Sequence, residues 1–347
     1  MKPSTGTAGS FPARHKDVLK GKHVLVTGAA GHLGACIVGK LLECGSRVTG
    51  LVQPSFSLWR LGALADQIKI YNADLRSLDP DAAAAQLSDV RIICHLGAQG
   101  VDPAQRHFPD MLETNAGGTW RMLEIGRRLK LERFIYCGSC FEYGGGHCFE
   151  SDPPDPRLEY GVSKAAGWML ANMFFRRHGV PVVSLRPFTF YGPFESRHRL
   201  VPHIICGILE GKKDIALTAG DQKRDFVFVV DVAEAFLNAA VIDGIAGETF
   251  NAASGCGVSP RGIAEVIMRH TGSNIKLSWG ALDHRPDEFE DLVGDTQKAR
   301  RQLQWQARTS LSDGLKKTIA WFSANRKKYY GDKPRRILYT DDVLVYD

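Results

Sequence analysis

Two residues that could exchange a proton with a substrate stand at a helical spacing. Tyr160 and Lys164 are four positions apart, so a helix would place both side chains on one face. An ammonium near a phenol lowers the phenol's pKa and makes it a usable acid or base near neutral pH. Because ordinary surface pairs share this spacing, the pair predicts chemistry only together with further residues.

A glycine-rich turn near the start of the chain predicts a phosphate site. Gly28, Gly31 and Gly34 follow the apolar run 23–27 and open a helical pattern at 31–44. Glycines let backbone N–H groups approach a pyrophosphate, and the N-terminus of the following helix adds a favourable dipole. Glycine turns also end strands for structural reasons alone, but the strand–turn–helix context favours a bound dinucleotide.

The elements that must position these residues alternate along the first half of the chain. Short apolar runs typical of buried strands alternate with helical patterns, as in a parallel sheet covered on both faces. The predicted strands are 23–27, 47–52, 68–70, 91–95, 133–137 and 181–185, and the predicted helices are 31–44, 81–87, 103–129 and 158–178. The pattern predicts an α/β fold, a Rossmann-like doubly wound parallel sheet with a smaller C-terminal substrate lobe.

Changes in composition divide the chain into four predicted parts. They are a flexible leader at 1–20, a dinucleotide-binding domain at 21–186, a mainly substrate-binding lobe at 187–325 and a C-terminal tail at 326–347. Parts of 220–250 are expected to complete the main sheet, with 225–230 as the returning strand. The tail is basic at its start and is expected to be solvated or to contact another subunit.

Composition and charge limit the function classes. The net charge of +6 suits an anionic small substrate, and without clustered basic and aromatic residues no nucleic-acid partner is expected. Cys137 and Cys140 form a C-x-x-C, but no second pair stands at zinc spacing, so no metal site is predicted. The sequence has no apolar run that predicts a secretory signal or a membrane span, so a cytoplasmic protein without a membrane partner is expected.

The glycine spacing and residues beyond it resemble the extended short-chain dehydrogenase/reductase family, in its nucleotide-sugar-modifying epimerase/dehydratase branch. Asp74 falls where the family has an aspartate near the adenine, 95–98 where a strand end lines the cofactor, and Asn115 where it has a structural asparagine. The resemblance extends over about 22–325. It implies cofactor contacts by Gly28, Gly31, His32, Leu33, Gly34, Gln53, Arg60, Asp74, Leu75, Leu96, Gly97, Ala98, Asn115, Tyr160 and Lys164.

A third catalytic residue follows from the same resemblance. Ser139 stands 21 residues before Tyr160 and four before a Tyr-Gly pair, where the family places its catalytic Ser or Thr. The resemblance implies that Ser139 hydrogen-bonds the substrate oxygen, Tyr160 exchanges its proton, and Lys164 holds the ribose and tunes Tyr160. An enzyme is therefore predicted. A non-catalytic dinucleotide sensor is the remote alternative. It is remote because such proteins typically lose the Tyr-Lys pair, which this chain keeps.

The end of the second strand favours NADP as the cofactor. Where the family has an acidic residue for the ribose 2′-hydroxyl, this chain has Val52, followed by Gln53. No carboxylate would repel a 2′-phosphate there, and Arg60 is near enough in sequence to meet one. If Arg60 is a surface residue instead, NAD remains the alternative.

The second half of the chain resembles the family's sugar-nucleotide lobe. Arg199 opens a helix that borders the base in relatives, and Arg224 and Arg285 fall where arginines contact the diphosphate. Guanidinium groups match diphosphate oxygens. A nucleotide-diphosphate sugar is therefore the expected substrate, although Arg224 and Arg285 could instead pair with Asp225 or Asp287.

The residues after Ser139 bear on the type of reaction. Relatives that are 4,6-dehydratases carry an Asp-Glu pair there, and this chain has Cys140 and Phe141. Reduction of a 4-keto-6-deoxy nucleotide sugar, with Tyr160 as proton donor, is therefore favoured. A nucleotide-sugar epimerase or dehydratase with tightly bound NAD is the alternative. Cys140 and Glu142 are candidate substrate-binding residues, but each could also be a packed or paired interior residue.

A homodimer is expected from the two long helices. Relatives often dimerise through the helices that correspond to 103–129 and 158–178, as a four-helix bundle. Large hydrophobic helix faces would permit such an interface.

Overall fold

The structure is a computed structural model that describes residues 13–101, 107–283 and 289–326, together with the backbone of 337–340 and 343–346. The strands are β1 His23–Thr27, β2 Arg47–Val52, β3 Lys69–Asn72, β4 Ile92–His95, β5 Arg133–Cys137, β6 Gly146–Cys148, β7 Val182–Pro187, β8 Thr189–Tyr191, β9 Asp214–Leu217, β10 Lys223–Phe228, β11 Thr249–Ala252, β12 Gly257–Val258, β13 Lys276–Trp279, β14 Asp291–Gly294, β15 Ile337–Thr340 and β16 Val343–Tyr346. The helices are α1 Ala13–Leu19, α2 His32–Glu43, α3 Pro80–Gln86, α4 Phe108–Leu112, α5 Gly118–Arg128, α6 Glu159–His178, α7 Leu200–Leu209, α8 Val229–Val241, α9 Pro260–Thr271, α10 Gln297–Arg301 and α11 Leu311–Ala324.

Seven parallel strands form the main sheet, in the order β3-β2-β1-β4-β5-β7-β11. Successive residues of β1 enter different cores, because side chains along a strand point to opposite faces. Val24 and Val26 pack with α2 and α8, whereas Leu25 packs with α3, α5 and α6. Both faces are therefore covered, and the predicted doubly wound fold is confirmed.

The long helix predicted at 103–129 is interrupted once. The described part runs from Phe108 to Arg128, and a π-helical turn at Glu113–Gly117 joins α4 to α5. Residues 102–106 lie outside the described ranges.

The predicted flexible leader is wrong for its last residues. Residues 13–19 form α1, which packs against α8, and Leu19 is fully buried. His15 is also buried, with its Nε2 atom 2.7 Å from Asn238 Oδ1 in α8. Side chains that bury apolar area and find a polar partner fix this segment. Residues 1–12 lie outside the described part of the chain.

The second half of the chain adds a smaller lobe with its own sheet. Strands β12, β10, β14 and β6 lie side by side, β8 also pairs with β10, and β9 pairs with β13. The prediction that 225–230 returns to the main sheet is wrong, because that segment is β10 with the start of α8. The strand that completes the main sheet is β11, which pairs with β7. A third core, around Ile204, Ile267 and Phe322, holds α7, α9 and α11 together.

The described end of the predicted tail is a β-hairpin. Strands β15 and β16 pair antiparallel, with Thr340 opposite Val343. Contact between this tail and another subunit stays a prediction. Within the described ranges, no helix is long and apolar enough to cross a bilayer.

Candidate active site and cofactor-binding edge

The predicted site residues gather at the carboxyl edge of the main sheet. Gly28 directly follows β1, Gln53 follows β2 and Leu96 follows β4, while Ser139 is the second residue after β5. Parallel strands end at the same edge, so residues far apart in sequence meet there. This is the edge at which open α/β sheets bind their ligands.

The glycine turn is packed so closely that no side chain fits. Gly28 has a φ of +67°, and a Cβ atom on it would lie 3.0 Å from Gly97 N. A Cβ on Gly34 would lie 2.1 Å from Gly28 O. The first residues of α2 have no capping side chain, since the N-cap is Gly31. The turn therefore presents backbone N–H groups at a helix N-terminus without covering them.

The two residues inside this turn differ in placement. The Leu33 side chain is 5% exposed and packs in the core, so only its backbone is available to a ligand. The centroid of the His32 ring lies 5.3 Å from that of the Phe190 ring, so the glycine turn contacts β8 here. Burial lowers the pKa of His32 to about 3, so this ring is neutral at physiological pH.

The end of β4 is fixed by a buried hydrogen-bonded network. Thr27 Oγ1 accepts the backbone N–H groups of Leu96 and Gly97, at 3.0 and 2.9 Å. His95 lies between Thr27 Oγ1 at 2.8 Å and Thr119 Oγ1 at 3.0 Å. Burial lowers the pKa of His95 to about 3. The network holds the backbone of Leu96 and Gly97 against Gly28 of the glycine turn, and Ala98 follows directly in the chain.

Asn115 ties three segments together from within the π-helical turn. Its Oδ1 atom accepts the N–H of Gln99 at 2.8 Å, and its Nδ2 atom donates to Gln99 O at 2.9 Å and to Ser163 Oγ at 2.8 Å. Ser163 Oγ donates to Tyr160 O at 2.8 Å. The asparagine therefore links the loop after β4 to the helix that carries Tyr160. π-Helical turns are frequent at functional sites.

Ser139 caps a short 3₁₀ turn at Cys140–Glu142. Its hydroxyl accepts the N–H of Phe141 at 3.2 Å, and its own N–H donates to Glu142 Oε1 at 2.8 Å. The serine is 7% exposed, so its environment is mostly protein.

Helix α6 brings Tyr160 and Lys164 to the Ser139 turn. A Cβ on Gly161 would lie 2.1 Å from Phe141 O, so only glycine permits this approach. The Phe141 and Tyr160 rings meet edge to face at 6.2 Å between centroids. These contacts place Tyr160 beside the Ser139 turn, and Lys164 follows one helical turn later on α6.

The charge environment of this pair differs from the sequence expectation. Burial raises the pKa of Tyr160 above its usual range, and the neighbouring Cys137, Cys140 and Glu142 act in the same direction. Burial lowers the pKa of Lys164, which is 2% exposed. The predicted lowering of the tyrosine pKa is therefore not found, because desolvation raises it.

The Lys164 ammonium lies over an aromatic face. Its Nζ atom is 4.7 Å from the centroid of the Tyr136 ring, and Tyr136 Oη donates to Lys164 O at 2.7 Å. Across the described residues, no side chain or backbone oxygen accepts a hydrogen bond from Nζ. A buried ammonium in this state fits a ligand with hydroxyl groups, such as a ribose.

Cys140 and Glu142 are placed in the interior. Cys140 is 3% exposed, and burial raises the pKa of its thiol to about 12. Glu142 has no exposed surface, and its Oε2 atom accepts from Arg186 Nε at 2.7 Å. The expectation that these two side chains bind substrate is not supported by their placement, because packing and pairing occupy both of them.

At the end of β2, the predicted cofactor residues contact one another. Gln53 Nε2 donates to Asp74 Oδ2 at 3.5 Å, and Arg76 forms an ion pair with the same carboxylate at 2.7 Å. Hydrogen bonds from Arg76 hold the pKa of Asp74 below its usual range. Leu75 is 7% exposed and packs against Gly97, so its side chain contacts the protein interior at the end of β4 rather than solvent.

Arg60 is not placed as the NADP prediction requires. Its Nε atom donates to Phe194 O at 2.9 Å and its Nη2 atom to Ser196 Oγ at 3.1 Å, while the guanidinium lies 4.6 Å above the Trp59 ring. The residue joins the loop after β2 to the segment after β8. Phe194 has a φ of +70°, which is strained for a non-glycine residue.

The arginines predicted to bind substrate are only partly described. Arg199 stands at the N-cap of α7, with Nε 3.7 Å from Glu195 Oε1. Glu195 is 4% exposed, and burial raises the pKa of its carboxyl group to about 8. Arg224 donates to Phe289 O at 2.7 Å and Lys223 O at 2.8 Å. Arg285 lies outside the described residues.

Asp225 does not pair with Arg224 as the alternative interpretation proposed. Its carboxylate is fully buried and accepts four N–H or O–H groups, from Ser254, Gly255 and Gly294. It therefore organises loops of the small lobe.

Comparison with known proteins identifies the family of this chain. The profile of the NAD dependent epimerase/dehydratase family matches residues 24–253, more than half of the chain. The chain belongs to this family. The predicted family is thereby confirmed.

Relatives of this family member act on nucleotide sugars. A dTDP-glucose 4,6-dehydratase of Streptomyces niveus is 29% identical over 321 residues, which are 87% of this chain and 93% of the relative. A UDP-glucose 4-epimerase of Mycolicibacterium smegmatis is 29% identical over 314 residues, 86% and 97% of the two chains. These relatives are dehydratases and epimerases, so the preference for a ketoreductase is not supported.

A solved structure of the family extends the comparison. The UDP-glucuronic acid 4-epimerase of Bacillus cereus, in complex with UDP-glucuronic acid and NAD, is 27% identical and superposes with a TM-score of 0.79. The match covers 87% of this chain and 99% of that one. Because that complex contains NAD, the preference for NADP is not supported.

The residues of this family member fit a nicotinamide dinucleotide. Gly28, Gly34 and Gly97 let the backbone pack closely, and the uncapped first turn of α2 leaves backbone N–H groups for a pyrophosphate. The buried Lys164 ammonium, with no acceptor in the described chain, suits ribose hydroxyl groups. Sequence analysis placed His95 in the strand end that lines the cofactor, but it missed the His95 network and the pairing of Glu142 with Arg186, because their partners are distant in the chain.

Proposed function

We propose that the protein is a NAD-dependent 4-epimerase of a nucleotide-diphosphate sugar. The observation that carries this proposal is the content of the turn after Ser139. A 4,6-dehydratase needs an acid and a base there to eliminate water, and this chain has Cys140 and Phe141. Burial raises the pKa of the Cys140 thiol to about 12, so it is a poor acid and a poor base near neutral pH.

Each catalytic residue has one role in this proposal. Tyr160 takes the proton of the sugar hydroxyl and later returns it to the same oxygen. Ser139 donates a hydrogen bond to that oxygen while it is a carbonyl. Lys164 holds ribose hydroxyls and supplies positive charge near Tyr160. A bound nicotinamide dinucleotide supplies reversible hydride removal and return at the sugar carbon.

The choice of NAD rests on the loop after β2. Arg60 is engaged with Phe194 and Ser196 and so is not held toward a 2′-phosphate. Gln53 takes the position next to the family's acidic residue, and its neutral amide can hydrogen-bond a ribose 2′-hydroxyl. The NAD found in the Bacillus cereus relative supports the same choice.

Product analysis after incubation with UDP-glucose, UDP-glucuronic acid and dTDP-glucose tests the proposal. The purified protein should release NAD on denaturation. It should convert at least one sugar to its C4 epimer, seen by NMR, without a net change in nicotinamide absorbance. Tyr160→Phe should lower turnover by about 10²- to 10⁴-fold with NAD retained. Tyr71→Phe, in β3, is the matched control and should keep turnover.

The other outcomes separate the alternatives. Net consumption of reduced nicotinamide with a 4-keto-6-deoxy sugar would replace epimerisation by reduction. A 4-keto-6-deoxy product formed from the starting sugar would replace it by dehydration. No conversion of any sugar by wild-type protein that retains NAD would contradict the substrate class.

We also propose a homodimer through the helices that pack beside this site. Leu112, Trp120, Val162, Met169 and Met173 are large apolar residues of α4, α5 and α6 that are between 39% and 55% exposed. Exposed apolar groups on neighbouring helices favour association with a second copy. Light scattering after size exclusion should give a dimer, and Met169→Glu should shift it towards monomer. A monomeric wild-type protein would contradict the proposal.

A further inference from the structure

A wholly buried ion pair lies directly behind Ser139. Glu142 and Arg186 have no exposed surface, and their Oε2 and Nε atoms are 2.7 Å apart. The other carboxylate oxygen, Oε1, accepts the N–H of Ser139 at 2.8 Å. One side chain therefore connects the backbone of the catalytic serine to a charge on β7.

Arg186 is itself held on two sides by aromatic faces. Its guanidinium carbon lies 4.5 Å from the Tyr143 ring centroid and 4.8 Å from that of Trp168. Cation–π contacts of this kind are stronger when water is excluded. Trp168 belongs to α6, the helix that carries Tyr160, and its Nε1 atom donates to Thr249 Oγ1 at 2.9 Å. The arginine thus joins β7, α6 and the Ser139 turn.

The residue before Ser139 leaves room for the carboxylate. A Cβ on Gly138 would lie 2.4 Å from Glu142 Oε1, so any other residue would displace the acid. Gly138 N donates to Leu185 O at 2.7 Å, which fixes the turn to the neighbouring strand. The position of the Glu142 carboxylate therefore requires a glycine four positions earlier in the chain, at Gly138.

We propose that Glu142 is a positioning residue, whose carboxylate, balanced by Arg186, orients Ser139 towards the substrate oxygen. An apolar side chain at this position would leave the Ser139 N–H and the Arg186 guanidinium without their acceptor. The proposal rests on the proposed function, in which Ser139 acts on the substrate. It assigns to Glu142 a role in holding the catalytic group rather than in contacting the sugar.

The charge of Glu142 also reaches the proton-exchanging residues. Burial and the thiols of Cys137 and Cys140 raise the pKa of Tyr160, and the Glu142 carboxylate raises it further. Burial lowers the pKa of Lys164, and the Glu142 carboxylate opposes that lowering. The titratable and charged groups that face Glu142 are Tyr136 and Cys137 of β5, Tyr143 of the turn, Tyr160 and Lys164 of α6, and Arg186 of β7. Removing the negative charge should therefore lower the pKa of Tyr160.

Glu142→Gln is the first variant, because it keeps the size of the side chain and an oxygen for the Ser139 N–H. We expect kcat to fall by about 10- to 100-fold, with KM for the nucleotide sugar unchanged. Because the charge of Glu142 raises the pKa of Tyr160, we expect the rise of kcat with pH that follows Tyr160 losing its proton to lie at lower pH in this variant. Glu142→Asp keeps the charge but shortens the reach, so its kcat should fall without that shift.

Two further proteins separate positioning from folding. Glu150→Gln removes a part-buried carboxylate that accepts from Asn251 N at 2.9 Å, away from Ser139, and should leave kcat and its pH profile unchanged. The double variant Glu142→Val/Arg186→Met replaces the ion pair by apolar groups and should fold with NAD bound, yet keep a low kcat. Should Glu142→Gln fail to fold, this double variant carries the test.

The outcomes are distinguishable from a failure of the proposed function. If the wild-type protein converts no sugar, the proposed function fails first. If wild-type protein turns over and Glu142→Gln, or the folded double variant, matches its kcat and pH profile, the positioning role is overturned. Bound NAD, measured after denaturation, serves as the common check on folding in every variant.

Discussion

The glycine turn and the Ser139 turn lie at the same edge of the sheet but are built in opposite ways. In the glycine turn, three backbone segments meet at Gly28, Gly34 and Gly97 with no room for one additional carbon. In the Ser139 turn, the space behind the backbone is filled by the charged side chains of Glu142 and Arg186. One region is shaped by the absence of side chains and the other by a charged pair.

This difference predicts which substitutions disrupt the structure of each turn. Backbone contacts cannot relax by rotating a side chain, so one added methyl group should damage the glycine turn. The Ser139 turn should tolerate changes of shape better than the loss of one charge, because an unpaired buried ion is costly. The variants below break or sharpen this contrast, from the largest expected effect to the smallest.

Gly34→Ala should have the largest effect. Its methyl group would lie 2.1 Å from Gly28 O, which forces the turn open. We expect a loss of about 1–3 kcal/mol in the free energy of unfolding and no NAD in the purified protein. Gly39→Ala on the same helix is the control, since its methyl would meet nothing closer than 3.5 Å. That variant should gain up to about 1 kcal/mol from helix propensity. NAD retained at wild-type level by Gly34→Ala would contradict the steric argument.

Gly161→Ala tests the contact between the Ser139 turn and α6. The methyl group would lie 2.1 Å from Phe141 O and push Tyr160 away from Ser139. Since a displacement of about 1 Å can cost 10²-fold in rate, kcat should fall by about that factor with NAD still bound. Steady-state kinetics with the exposed Glu159→Ala as control measures this. An unchanged kcat would mean that the two elements need not touch.

Glu195→Gln compares a second buried carboxylate with Glu142. Burial raises its pKa from 4.5 to about 8, so the folded state holds this proton more tightly than the unfolded state. The resulting contribution to stability is complete below about pH 4.5 and is lost as pH rises through about 8. The Tm of the variant minus that of wild type should therefore increase as pH rises from about 4.5 to about 8, and should stay constant above pH 8. The exposed Glu265→Gln is the control, and a gap that does not change with pH would refute the shift.

Cys140→Ala should have the smallest effect. The thiol packs in the core beside Ser139, so its removal should cost about 1 kcal/mol in stability. Turnover should stay within about twofold of wild type, because a thiol with a pKa of about 12 does no acid/base chemistry at neutral pH. A large loss of kcat with NAD retained would give Cys140 a chemical role and reopen the reaction assignment.

The sequence was informative where chemistry is encoded locally. The glycine turn and the Tyr160–Lys164 pair are short-range patterns, and the strands 47–52 and 133–137 were predicted at their observed bounds. What it could not reveal depends on partners far along the chain. Arg186 is 44 residues from Glu142, and Arg60 contacts a residue 134 positions away. No local sequence pattern predicts such long-range pairs.

The wrong predictions have the same origin. Polar residues in 1–20 suggested a leader, yet the last turn of that segment is fixed by α8, more than 200 residues away. Likewise, most of 225–230 is a strand as expected, but its neighbours in space decide which sheet it joins. Strand existence is a local property, whereas strand pairing is not.

The network at the end of β4 has a consequence for where protons can travel. Thr27 Oγ1 accepts two amide N–H groups, so its own proton must point to His95 Nδ1. The neutral ring then carries its single proton on Nε2 and donates it to Thr119, whose hydroxyl donates to Asn115 O. Every proton in this row is committed in one direction. The row begins at two backbone amides and ends at a peptide carbonyl, groups that neither release nor take up a proton readily near neutral pH, so it fixes one tautomer of His95 and carries no protons.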